Sequence, residues 1–184
     1  MKSKKYIYKL VLILIIGLLG IEDGMCQYSE YEIKAAYIFN FAKFIEWPES
    51  SLKSDTITLV IYKNDPFGVV LEKTMIGRRA NGKVWKIVRS SDIKDLNDCQ
   101  IVFFSDIEKY DLLKLMDRLK NRSILTIGDE IVDFCKVGGV INFTPQFSEY
   151  QFEINNSVAK ANRVVISPKL LVLAKIVSNS EDEF

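Results

Sequence analysis

Thr56-Ile57-Thr58-Leu59-Val60-Ile61-Tyr62 decides the fold class of this chain. A strand with one wet face alternates polar and apolar residues. This one turns continuously apolar after Thr58 and is rich in β-branched side chains, as a strand covered on both faces should be. Lys63-Asn64-Asp65-Pro66-Phe67-Gly68 follows as a loop, by its turn residues, and Val69 to Met75 reads as a short helix. The motif then recurs. Val84 to Val88 follows an Asn81-Gly82 turn as a second strand, and Ile101 to Phe104 is a third, bounded by Asp98-Cys99 and Ser105-Asp106. Leu112, Leu113, Leu115, Met116 and Leu119 stand at helical core spacing, and Ser123 to Ile127 is a fourth strand. A short helix is expected from there to about Cys135, stopped by Gly138-Gly139. Strands alternating with helices predict an α/β chain of three layers with a mostly parallel sheet.

The outer segments complete this plan. Val140 to Thr144 and Tyr150 to Ile154 are two strands whose five-residue connection suits an antiparallel C-terminal hairpin more than a crossover. A short helix over Asn156–Ala161, an extended Val164–Ile166 and a Leu-rich helix from Lys169 to Val177 follow. The last is opened by Ser167 as N-cap with Pro168 at the first helical position. Upstream, Ser29-Glu30-Tyr31-Glu32 is a capping-box pattern opening a helix to about Glu46, ended by Trp47-Pro48. At 100° per residue Ile33, Tyr37, Ile38, Phe41, Phe44 and Ile45 share one face, and Glu32, Asn40, Lys43 and Glu46 the other. Phe39 falls in the middle of the polar face, where packing does not require it.

Ahead of that helix, Lys2, Lys4, Lys5 and Lys9 precede the apolar run Leu10 to Leu19, which ends at Glu22 and Asp23. The run is shorter than the ~20 apolar residues of a spanning helix and reads as a secretory signal peptide over 1–26, with cleavage near Cys26/Gln27. A lipidated Cys26 and an uncleaved anchor are the alternatives. Residues 27–184 then form one α/β domain. Of the chain's 25 basic and 24 acidic side chains, the leader holds four and two, which leaves 21 and 22. A balance near −1 with no basic stripe argues against nucleic acid as a partner.

There is no histidine among the 184 residues. That removes the usual general base, the usual activator of a nucleophile and the commonest metal ligand. Two cysteines and scattered carboxylates are a poor zinc set, and no glycine-rich phosphate motif follows the first strand. No catalytic residue, metal or cofactor is expected. Asp65, Asp106 and Asp129 each follow a strand, where α/β sheets place ligands, but aspartate is also a common cap and turn former. Cys99 at the start of its strand and Cys135 on the helix returning from the next could lie at the same end of the sheet. A disulfide between them and two buried free thiols both remain open.

The run Ile33-Lys34-Ala35-Ala36-Tyr37-Ile38-Phe39-Asn40-Phe41-Ala42-Lys43-Phe44-Ile45-Glu46-Trp47-Pro48 resembles the opening of the YfiR-like periplasmic proteins. Asp65-Pro66-Phe67-Gly68, Cys99 to Ser105, Gly138 to Phe143, Phe152 to Asn155 and Lys169 to Ala174 continue the likeness in the family's order over nearly all of 27–184. The resemblance implies a Rossmann-like domain, often dimeric, in the periplasm of a Gram-negative bacterium. It implies no catalysis. It points to a regulator that represses a membrane-spanning diguanylate cyclase, or serves a sensor kinase, by contacting that partner's periplasmic part. A second partner, an outer-membrane lipoprotein, is implied as the sequestering one. The best-known members carry two disulfides, and this chain has cysteines for one at most. The expected partner surface is Phe39, Asn40, Lys43 and Trp47. The alternative is a small-ligand receptor whose site lies at Asn64, Asp65, Ser105 and Asp106, and a third reading is a hydrolase driven by Asp65, Asp106 and Asp129.

Overall fold

The computed structural model describes residues 29–145, 148–149 and 151–178. The expected signal peptide and its cleavage site, together with Phe147 and Tyr150, lie outside the described residues.

Helix α1 spans Glu30–Lys43, and its capping box is formed: Ser29 Oγ accepts from the Glu32 N–H, and Glu32 accepts from the Ser29 N–H at 2.7 Å. Such a cap contributes about 1 kcal/mol. The buried stripe is Lys34, Ala35, Ile38, Phe41 and Ala42, rotated from the face that bulk predicts, and Ile33 is left 45% exposed. The two alanines let the helix axis approach the sheet, which a stripe of larger residues would hold away. The helix stops at Lys43 because Ile45–Glu46 extends as β1, three residues before the expected end.

Strand β2, Thr56–Lys63, is followed by α2, Val70–Met75, then β3, Arg79–Ala80, and β4, Lys83–Ser90. Asn81 and Gly82 both have positive φ, at 50° and 77°, as two-residue hairpin turns require. Strand β5 is Ile101–Ser105, helix α3 Lys109–Leu119, β6 Leu125–Asp129, β7 Ile141–Phe143 and β8 Phe152–Ile154. Helix α4, Asn156–Ala161, strand β9, Val165–Ile166, helix α5, Pro168–Leu171, and strand β10, Lys175–Ile176, end the described chain.

Eight strands form one mixed, mostly parallel sheet in the order β10-β8-β7-β6-β5-β2-β4-β3. Strands β4, β2, β5, β6 and β7 run parallel, β7 pairs β8 antiparallel through Ile141↔Ile154 and Phe143↔Phe152, and β10 lies parallel to β8. A separate ribbon pairs β1 with β9. Along β2, Ile57, Leu59 and Ile61 face one core with α1, α2 and Leu170, while Val60 and Tyr62 face a second with α3, Phe134 and Cys135. Both faces of the sheet are therefore covered, as the opening run of sequence requires.

One expected helix is absent and another is cut short. Residues 131–137 form turns, with left-handed φ at Glu130 and Asp133. The buried Asn142 side chain takes both backbone groups of Ile131, at 2.9 and 3.1 Å, and so supplies locally what a helix would otherwise supply. The Leu-rich C-terminal helix lasts only to Leu171, and Lys175–Ile176 instead pairs with β8. Without it, β8 would leave an open row of peptide groups at the sheet margin.

The disulfide is not formed, and Cys99 and Cys135 are buried free thiols. Cys99 precedes β5, whereas the Cys135 sulfur lies against the carbonyls of Val140 and Glu153, at 3.6 and 3.7 Å, beside β7 and β8. With β6 between them, two strand spacings, about 10 Å, intervene. A bridge needs Cα atoms within about 7 Å.

Candidate functional site

Connections leave the centre of this sheet in opposite directions. After β2 the chain crosses to β4, and after β5 it crosses to β6 on the other side. The loops behind β2 and β5 therefore part, and open α/β sheets have their crevice at such a point. A depression of about 460 Å³ opens there, lined by Asn64, Pro66, Ser105, Asp106, Asp129 and Glu130, with Glu30, Tyr31 and Lys34 from the first turns of α1.

Its polar groups are largely occupied with one another. Lys34, nearly buried, reaches Asp129 at 2.5 Å and Glu130 at 3.0 Å and also pairs with Glu30. Tyr31 donates its hydroxyl to Asp129 at 3.2 Å. Burial by itself would push the Lys34 ammonium down, but its hydrogen bonds to Asp129, Glu30 and Glu130 outweigh that and hold it above its ordinary value. Burial, and then the charge on Asp129, raises the Tyr31 phenol. Carboxylate oxygens of Glu30, Asp129 and Glu130 lie within 4.8 Å of one another. They converge on the Lys34 ammonium, so the chain's own cation already sits in the one three-carboxylate cluster found among the described residues.

The structure brings Asn64, Ser105 and Asp106 together here and holds Ser105 Oγ to the Asn64 carbonyl at 3.2 Å. Asp65 is turned aside. One oxygen accepts from the Phe67 N–H at 2.9 Å, the other from Arg89 at 2.5 Å. Glu72 and Asp65 in turn hold the Arg89 guanidinium above its ordinary value. Two of the three hydrolase candidates, Asp65 and Asp129, are thus tied to cations, which leaves Asp106 as the one of the three without an ion pair among the described residues.

A second surface gathers around Phe39. Its ring is half-buried, with the Arg78 guanidinium 5.3 Å and the Lys43 ammonium 5.5 Å from its centroid, and the Trp85 ring at 6.2 Å. Asn40 and Lys43 are exposed beside it, and Ile76 is 80% exposed on the adjoining turn. The neighbouring Asn81-Gly82 hairpin turn is tied to this edge by Asn81. Its side-chain amide donates to the carbonyl of Ala42 at 3.1 Å, one of the acceptors a helix end leaves unfilled, and to that of Ile45 in β1 at 2.9 Å. Phe39, Asn40 and Lys43 therefore share one surface, and Arg78, Trp85 and Ile76 join them from segments that sequence reasoning had not connected. Trp47 does not. It is 6% exposed within the first core, and its indole N–H has no hydrogen-bond partner among the described residues. Pro48 and β1 turn that ring inward, so its expected place at a partner contact is withdrawn.

A family model described as YfiR/HmsC-like matches residues 31–175, from the first turn of α1 to β10. The chain belongs to the YfiR/HmsC-like family. No curated protein matches it. The YfiR/HmsC-like family is one of periplasmic regulators rather than of known enzymes. Among the described residues no helix is long and apolar enough to cross a membrane. Within the matched span the Phe39 surface is complete, and so is the crevice, Glu30 excepted.

Proposed function

We propose that this YfiR/HmsC-like protein is an exported regulator that binds the periplasmic part of a membrane-spanning signalling enzyme, a diguanylate cyclase or a sensor kinase, and represses it. In this reading the covered sheet is a Rossmann-like, three-layer scaffold that works as a dimer. An outer-membrane lipoprotein is the second partner. The observation that carries the reading is the Phe39 surface within a family of regulators: an aromatic ring held between two cations on the outer face of α1, flanked by an exposed Ile76. Aromatic anchors ringed by arginine are what protein interfaces concentrate.

The test is crosslinking of the tagged, exported chain in its source cells, followed by mass spectrometry of the membrane fraction. A membrane cyclase or kinase should be enriched, and Phe39→Asp should weaken that capture by about 30-fold, the loss expected of an interface anchor worth ~2 kcal/mol. Lys43→Glu, at an exposed position, should weaken it without altering the melting temperature. Capture unchanged by both variants would remove this surface. Absence of any membrane signalling protein would remove the reading. The crevice of about 460 Å³ favours a small-ligand receptor as the second reading, and thermal shift against periplasmic metabolites distinguishes it.

A further inference from the structure

Where the two cores meet beyond the sheet, a groove of about 420 Å³ runs between α3, residues 136–138 and α4; Met116 and Val137 belong to the second core and Val158 to the first. Its floor is apolar, made by Leu113, Met116, Val137 and Val158, and its rim carries Lys120 and Lys136 against one acid, Asp117. Lys136 meets Asp133 at 3.5 Å, but both side chains stay about half exposed, so its charge remains open to a competitor. Apolar floors with a cationic rim suit a segment that is both aromatic and acidic.

The chain carries such a segment next to the groove. Val177 packs against the same core cluster as Met116 and Val137, and its N–H donates to the Ile154 carbonyl at 3.0 Å, two residues before α4 begins. The described chain thus leaves at the groove's margin. Residues 179–184, Asn-Ser-Glu-Asp-Glu-Phe, lie outside the described residues and hold three acids, no base and one aromatic. Six residues reach about 20 Å when extended, enough to cross from α4 to α3. By contrast, α1 begins at the opposite end of the sheet, where Tyr31 meets Asp129 at the end of β6.

We propose that residues 179–184 dock in this groove, with Glu181, Asp182 and Glu183 against Lys120 and Lys136 and Phe184 on the floor of Leu113, Met116, Val137 and Val158. The docked segment covers an apolar surface that shares no lining residue with the Phe39 surface, whatever protein that surface binds. To test this, Phe184 is replaced by p-benzoyl-phenylalanine in the full-length exported chain, which is irradiated and digested. The expected products are intramolecular crosslinks to peptides containing residues 113–120, 136–138 or 157–162. Their yield should fall at least fivefold in the Lys120→Glu, Lys136→Glu double variant at an unchanged melting temperature, and should fall likewise in high salt. Crosslinks scattered over the surface, links only to a second copy, or a yield insensitive to charge reversal would each overturn the assignment.

Discussion

Replacing Lys34 by Met isolates the buried charge cluster that anchors α1. The substitution keeps the length of the stem and removes only the ammonium. The Lys34 and Asp129 side chains are 8% and 5% exposed, so Asp129 would be left buried without its cation. Stranding one partner of a buried pair costs about 3–5 kcal/mol. The lower end applies here, because the Tyr31 hydroxyl still donates to Asp129. Glu30 and Glu130, with side chains 43% and 35% exposed, can rehydrate. We expect a loss of about 3 kcal/mol, read as a fall of ~1.5 M in the urea midpoint for a slope near 2 kcal/mol/M. Asp129→Asn combined with Lys34→Met removes both charges and keeps an acceptor for Tyr31, so it should be more stable than Lys34→Met alone. A Lys34→Met variant within ~0.5 kcal/mol of the parent, or a double variant as unstable as the summed single losses, would refute the claim that this pair holds the helix.

Three further outcomes follow from the second core. A Cβ at Gly139 would lie 2.2 Å from the Phe134 ring and 2.7 Å from its carbonyl, so Gly139→Ala should cost about 2–3 kcal/mol in urea denaturation; a neutral result would mean that Phe134 moves freely. Burial pushes the Cys99 thiol up to about 12 and Cys135 well above its ordinary value of 9.0, so neither should react with a disulfide reagent in the native protein at pH 8. An unfolded thiol ionises above pH 9 while the folded one does not, so stability falls as pH rises from there, by about 1 kcal/mol per thiol at pH 10. Lys34, held above its ordinary 10.5, adds its own loss only at higher pH. Denaturation midpoints equal at pH 8 and pH 10 would contradict this.

The sheet was legible because its strands are covered on both faces, and a continuous run such as Leu59 to Ile61 has no other comfortable place. Asn64, Ser105 and Asp106 were legible as neighbours because strand ends and topology fix them. Long-range demands hid the rest. Lys34 reads as a solvated helix residue until Asp129, 95 positions on, is known to meet it. The α1 stripe was legible in Ile38 and Phe41, and in Ile45 just past the helix, all buried as expected. It was not legible in Ala35 and Ala42, which weigh little on a hydropathy scale although their smallness is what sets the helix against the sheet. Trp47 was assigned to the surface because nothing local says that Pro48 and β1 turn it inward. The Leu170–Leu173 run suggests a long helix, and only the vacant margin of β8 explains why the chain extends instead.

Helix α1 depends on later residues for almost everything that fixes it. Asn81 donates to the Ala42 carbonyl in its last turn, Asp129 and Glu130 hold Lys34, Phe143 and Phe152 pack on Phe41, and Val165–Ile166 pairs with the strand that follows it. A chain that emerges amino end first, from a ribosome or through a membrane, therefore presents this aromatic helix long before any of these supports exist. About 120 residues must arrive between Ile45 and Ile166 before α1 can seat. The first of the described elements to be synthesised thus waits for some of the latest, and a holding factor that shields amphipathic helices would have a long engagement with it.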